Sequence, residues 1–183
     1  EHRRPARDDC MLLSRRQASS TSGSRQMYDK RTLRRRNRES FRSAIQDWRA
    51  QAGSPGGKPR RSHGGCQVYV RCRPAFEKEL QQGEFEALTV HEEWGEVVLH
   101  SCLFHADLVR MYVHHIGFCF PQVFDAHASN EAVYHECGAP LVAHALSGQL
   151  GTLFMFGQTG SGKTYTMYAM MELAARAIFA APG

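Results

Sequence analysis

Residues 157–164 read Gly157-Gln158-Thr159-Gly160-Ser161-Gly162-Lys163-Thr164. This is the G-x-x-x-x-G-K-[ST] spacing of a phosphate-binding loop. The chemistry needs those residue types. Glycines let backbone N–H groups turn inward around phosphate oxygens, where a side chain would intrude. Lys163 supplies a positive charge for the β- and γ-phosphates, and Thr164 a hydroxyl for Mg²⁺. The flanks fit. The short apolar run Thr152-Leu153-Phe154-Met155-Phe156 predicts a buried parallel strand. After the loop, a stretch rich in Ala, Met and Leu predicts a helix to about Phe179. Strand, loop and helix together aim a helix N-terminus at phosphate. The plain alternative is a Gly-rich turn between strand and helix.

Outward from the loop, the charge is uneven. Residues 1–65 hold 17 Lys+Arg against 6 Asp+Glu, a net of +11, whereas residues 66–183 hold 6 against 12, a net of −6. A basic arm on an acidic body suits an acidic polymer: nucleic acid, an anionic membrane or an acidic filament. A solvated tail without a partner is the other reading. Residues 1–27, rich in Arg and Ser, read as a disordered arm. In 28–50, Phe41, Ile45 and Trp48 fall at i, i+4 and i+7, which predicts a basic helix with a narrow apolar stripe. That stripe docks either on the body or on a partner. Gly and Pro make 51–65 a linker.

The body starts at Cys66. Gln67 to Cys72 alternates like a strand that stops before Pro74, and Leu88-Thr89-Val90 and Glu96-Val97-Val98-Leu99 read as short strands. Residues 101–117 are ambiguous. Asn130 is a candidate cap for a helix through Val133, Cys137, Leu141 and Ala145, ended by Gly148 and bent or split by Pro140. Six cysteines, at 10, 66, 72, 102, 119 and 137, form no C-x-x-C pair and read as reduced thiols. The most apolar long stretch, 102–120, carries His105, Asp107, Arg110, His114 and His115, so it is no membrane span. The chain starts without Met and stops just after the loop helix, and it reads as a fragment.

The body resembles the kinesin motor domain. The resemblance rests on Val133-Tyr134, Pro140-Leu141-Val142, Leu146, Gly148, Gly151-Thr152, Phe154 and Gly157 through Met167. Arg71-Cys72-Arg73-Pro74 is similar to the family's R-x-R-P signature, and Phe120 to Asp125 to its F-D-x-V-F element, with Pro121 in place of Asp. Val90-His91-Glu92, Asn130-Glu131 and 173–179 look like the internal-motor, microtubule-depolymerising subgroup, whose basic neck residues 28–62 would match.

The resemblance implies an α/β P-loop NTPase fold, present here as its N-terminal third: first strands, a helix and the strand–loop–helix of the P-loop, after a basic arm. It implies ATP and Mg²⁺ as cofactors. Gly157, Gln158, Thr159, Gly160, Ser161, Gly162, Lys163 and Thr164 would hold the triphosphate, with Thr164 on Mg²⁺. Arg71 and Pro74 would contact the base, with Tyr165 opposite. It implies microtubules as partner rather than nucleic acid, and a cytoplasmic, cytoskeletal location. The family's Ser/Arg and D-x-x-G-x-E switches do not occur in these residues, so no catalytic group is assigned, and the isolated domain is expected to be unstable and inactive. The 152–156 strand is expected to want neighbours from later sequence. Two alternatives stand beside the motor: a non-catalytic filament-binding or regulatory protein with a relic P-loop, and an unrelated P-loop NTPase.

Overall fold

A computed structural model describes residues 10–13, 29–52 and 65–180. The chain divides into two compact units, residues 1–68 with 75–123 and residues 69–74 with 124–183.

The first unit is an antiparallel sheet under a helix. Strands β3 (Leu88–His91), β4 (Glu96–Phe104) and β5 (Met111–Cys119) form a meander, and β1 (Cys10–Leu13) pairs with the far side of β5, giving the order β1-β5-β4-β3. The ambiguous 101–117 thus belongs to a hairpin. Phe104 faces Met111 across its mouth. In the turn, Asp107 Oδ1 accepts the N–H groups of Val109 and Arg110. These bonds and the Arg110 guanidinium hold the Asp107 carboxyl far below the usual range.

The basic segment is two helices, α1 (Lys30–Arg36) and α2 (Arg38–Gln51), broken at Asn37, and a short helix α3 (Glu77–Gln81) precedes β3. Asp29 caps α1 by accepting from the N–H groups of Arg31 and Thr32. The apolar stripe of α2 docks on the body. Phe41, Ala44 and Ile45 are buried with Cys102, Met111 and Val113, and Phe85 and Phe104 pack around them. The Phe41 ring meets Phe104 edge-on at 5.6 Å. Burying a side chain of this size is worth about 2–3 kcal/mol.

Much of the segment's positive charge is used within the same unit. Arg31 and Arg35 both reach Glu84. Burial works to raise the Glu84 carboxyl, but the two arginines outweigh it and hold it below its ordinary value. Arg34 donates to the Cys102 carbonyl, and Arg49 to the Leu88 carbonyl and the Thr89 hydroxyl. Disorder over 1–27 lies outside the described residues, apart from Cys10–Leu13, where the backbone is a strand rather than a tail. The linker also lies outside them, except Gln51, Ala52 and Gly65.

Beside this core sits a buried pair of histidines. His100 and His115 face each other across β4 and β5, with their Nδ1 atoms 2.7 Å apart. Trp48 stacks on His115 at 4.8 Å. His100 Nε2 lies 2.7 Å from the Thr89 hydroxyl, which also accepts from Arg49. Two arrangements serve these contacts with both rings neutral: Thr89 donates to His100 Nε2 and His100 Nδ1–H to His115 Nδ1, or His115 Nδ1–H donates to His100 Nδ1 and His100 Nε2–H to Thr89.

Strand β2 (Tyr69–Arg71) pairs with β6 (Gln122–Phe124), whose last residue, Phe124, opens the second stretch of the second unit. The Cys72 N–H donates to the Phe124 carbonyl at 2.8 Å. The capping residue of the next helix is Ser129, not Asn130. Ser129 has extended backbone and accepts from the Ala132 N–H, whereas Asn130 is already the first residue of α4 (Asn130–Val133). A π-helical turn, Tyr134–Gly138, follows, and then α5 (Ala139–Leu146). The break falls just before Pro140, whose ring would clash with the carbonyl four residues back in a regular helix. Gly148, at φ +81°, follows the end of α5. Helix α6 (Lys163–Ala180) runs on from the glycine loop. Phe124, Val133, Cys137 and Met170 form the core, with Tyr69, Ala128, Tyr134 and Met155 around it. Burial pushes the Cys137 thiol up to about 11, as it does Cys102 in the first unit.

The strand predicted before the loop is not formed. Residues 152–156 have no regular structure, and Phe154 and Phe156 are 87% and 103% exposed. A strand is a property of a pair, and among the described residues none lies beside this segment. Among the described residues, no helix is long and apolar enough to cross a membrane.

Burial and the neighbouring His115 and Arg49 lower His100 from 6.5 to about 4. The unfolded chain therefore binds the proton more readily. The stabilisation is complete above about pH 6.5 and is lost as pH falls through 4, to a limit of about 3 kcal/mol. Denaturant midpoints taken between pH 7 and 4 should fall, and His100→Gln should flatten that slope. Equal slopes in the two proteins would contradict this account.

Candidate functional site

The glycine loop, Tyr165 and Arg71 come together in the second unit. Gly160 and Gly162 have φ +80° and +93°, a region that costs a side chain about 1–2 kcal/mol. They let the chain double back, and the Ser161 N–H closes the turn on the Gln158 carbonyl. A Cβ on Gly157 would sit 2.6 Å from Ser161 Oγ, so the loop leaves no room for one unless that side chain turns. Helix α6 then starts at Lys163, and its Thr166 N–H donates to the Gly162 carbonyl.

Lys163 holds the loop from within. Its Nζ donates to the Gly157 carbonyl at 2.7 Å and to the Gln158 carbonyl at 2.8 Å. The ammonium is thus held against the start of the loop. Gln158, Thr159, Gly160 and Ser161 line the exposed side, and the Thr164 side chain is exposed one residue into the helix. A concave backbone turn with a cation inside it and a helix N-terminus at its end can hold a polyanion.

Arg71 comes to the same place from β2. Its guanidinium carbon lies 5.5 Å from the centre of the Tyr165 ring, itself 65% exposed. Its edge is engaged: Nη1 donates to Asn130 Oδ1 at 2.7 Å and to Thr166 Oγ1 at 3.1 Å, and Nη2 to the Ala128 carbonyl at 3.0 Å. Pro74 is exposed, and its carbonyl accepts from Arg73. Arg73 borders the loop, since a Cβ on Gly162 would stand 3.9 Å from its own. Sequence reading did not give Asn130, Thr166 or Arg73 a place here. In the sequence, Thr166 entered as part of the run after the loop, Asn130 as a cap and as part of the subgroup resemblance, and Arg73 as part of the R-x-R-P signature, none with a role at the site.

The kinesin motor domain profile matches residues 71–180. The chain belongs to the kinesin motor domain family. It is 37% identical over 119 residues to the kinesin-like protein KIF24 of Mus musculus, a match covering 62% of this chain and 9% of that protein. To the kinesin-like protein Klp68D of Drosophila pseudoobscura pseudoobscura it is 40% identical over 101 residues, 55% of this chain and 12% of the relative. To the kinesin-like protein KIN-13A of Oryza sativa subsp. japonica it is 37% identical over 110 residues, 60% and 13%. The chain thus spans a small part of the length of these kinesin relatives.

Replacing Lys163 with Met keeps the side-chain length and removes both bonds to the loop carbonyls. Each such bond is worth about 1 kcal/mol. Amide hydrogen exchange over residues 158–162 of the nucleotide-free chain should speed up by as much as about thirtyfold, the worth of the two bonds together. Unchanged protection would show that Lys163 does not hold the loop.

Proposed function

We propose that this chain is the ATP-binding part of a microtubule-based motor of P-loop NTPase type. The observation that carries the reading is the loop 157–164, folded around the Lys163 ammonium and leading into the N-terminus of α6, in a chain of the kinesin motor family. The residues fit a triphosphate with Mg²⁺. Backbone N–H groups of residues 157–162 would serve the phosphate oxygens, and the glycines there carry no side chain to intrude. Lys163 exchanges two neutral carbonyl partners for phosphate oxygens, which adds the attraction of opposite charges to bonds that are already charge-assisted. Thr164 presents its hydroxyl at the first turn of α6, where it would serve as a ligand to Mg²⁺. Bound Mg²⁺ neutralises phosphate charge. Tyr165, Arg71 and Pro74 would meet the base.

Hydrolysis needs further groups to orient water and to stabilise charge on the γ-phosphate. The family resemblance puts these in its switch sequences, so turnover coupled to movement along microtubules, or to their depolymerisation, belongs to the complete motor. The basic segment suits an acidic filament surface, and a cytoskeletal location in the cytoplasm follows from the same reading.

Titration with ATP at fixed Mg²⁺ tests this. Lys163→Ala should weaken binding by about one to two orders of magnitude, the worth of a charge-assisted contact. Thr164→Ala should weaken it less and recover in part at higher Mg²⁺, because water can replace one ligand. Lys163→Ala should not recover. If both variants bind as the parent does, the loop is a relic turn and the chain has a non-catalytic role.

A further inference from the structure

Arg71 has two chemically distinct surfaces, and the structure uses them differently. The flat face of its guanidinium lies over Tyr165. The edge, where all its N–H donors point, is directed into the protein. That edge joins three pieces of chain: the carbonyl of Ala128 in the turn before α4, the side chain of Asn130 at the start of α4, and the hydroxyl of Thr166 in the first turn of α6. Both ends of this link are anchored. Asp125 Oδ1 accepts from the His127 and Ala128 N–H groups, and Ser129 caps α4, so the 125–130 turn is held in one shape. Thr166 in turn is bonded through its own N–H to the Gly162 carbonyl, the last glycine of the loop.

We infer that the edge of Arg71, through Asn130 and Thr166, is a positioning device that fixes the start of α6, and with it the phosphate loop, against the 125–130 turn. This rests on the reading of 157–164 as a phosphate site and adds residues to it. Asn130 and Thr166 act through Arg71 and Gly162, not on the nucleotide. A residue that serves the base changes affinity for ATP and leaves a bare polyphosphate untouched. A residue that positions the loop changes both alike. Geometry requires an acceptor at 130 and a hydroxyl at 166, so Asp and Ser can substitute whereas Ala and Val cannot.

The test uses the full chain with two probes, ATP and inorganic tripolyphosphate, each with Mg²⁺, and follows amide exchange without ligand. Asn130→Ala and Thr166→Val should each weaken both probes by the same factor, about three- to tenfold for one lost hydrogen bond. Both should also speed exchange over 162–168. Asn130→Asp and Thr166→Ser should restore affinity and protection. In an Arg71→Ala background, Asn130→Ala should add nothing, because its partner is gone. A loss confined to ATP would overturn the inference, since the network would then serve the base. So would parent-like affinity and exchange in Asn130→Ala and Thr166→Val. Should the parent chain bind neither probe, the nucleotide reading fails, and the exchange data still decide whether Arg71 fixes the start of α6.

Discussion

A backbone N–H or C=O that leaves water must find a partner, and this requirement orders the whole chain. In the first unit it is met by the β1-β5-β4-β3 ladder, nine residues long on each of its two central strands. In the second it is met by helices and by side chains standing in for backbone. Asp125 takes N–H groups of the turn before α4, Ser129 takes one from α4 itself, and Lys163 reaches into the loop to serve the Gly157 and Gln158 carbonyls. Where none of the described residues offers a partner strand, at 152–156, the apolar sequence remains irregular despite its β-prone composition. Propensity proposes a strand there, and pairing decides.

The same rule explains what could be read in advance. The glycine loop and its helix were legible because their chemistry is local: eight adjacent residues state it, and α6 starts at Lys163 as the spacing requires. The α2 stripe was legible because Phe41 and Ile45 repeat at helical period, and both are buried. The β4–β5 hairpin was hidden by its own core. Along β5, Met111, Val113 and His115 face inward, and a buried histidine spoils the apolar alternation that marks a strand. The edge contacts of Arg71 were out of reach of sequence, since Asn130 and Thr166 stand 59 and 95 residues away from it. Ser129 and Asn130 are both good capping residues, and only backbone angles separate them.

Charge counting misleads in one respect. The excess of Arg and Lys before residue 65 invites a search for an acidic partner. Yet Arg31, Arg34, Arg35 and Arg49 are tied to Glu84, the Cys102 and Leu88 carbonyls and Thr89. Their positive charge remains and still contributes to the long-range field, but the donors are committed. The basic helices are therefore part of the first unit's packing as much as a surface for something else. Removing one of these arginines would disturb both roles at once.

The π-helical turn at Tyr134–Gly138 has a bearing on how such chains diverge. A π turn is an α-helix carrying one surplus residue, and each residue turns the helix by about 100°. Val133 and Cys137, at its start and within it, are buried, whereas the α5 residues beyond it are at most partly covered. The surplus residue thus sets which side of α5 faces inward. Between relatives, a one-residue gap in this short stretch would mark not a changed loop but a rotated helix. Everything after it would then present a different set of side chains, with no substitution in α5 itself.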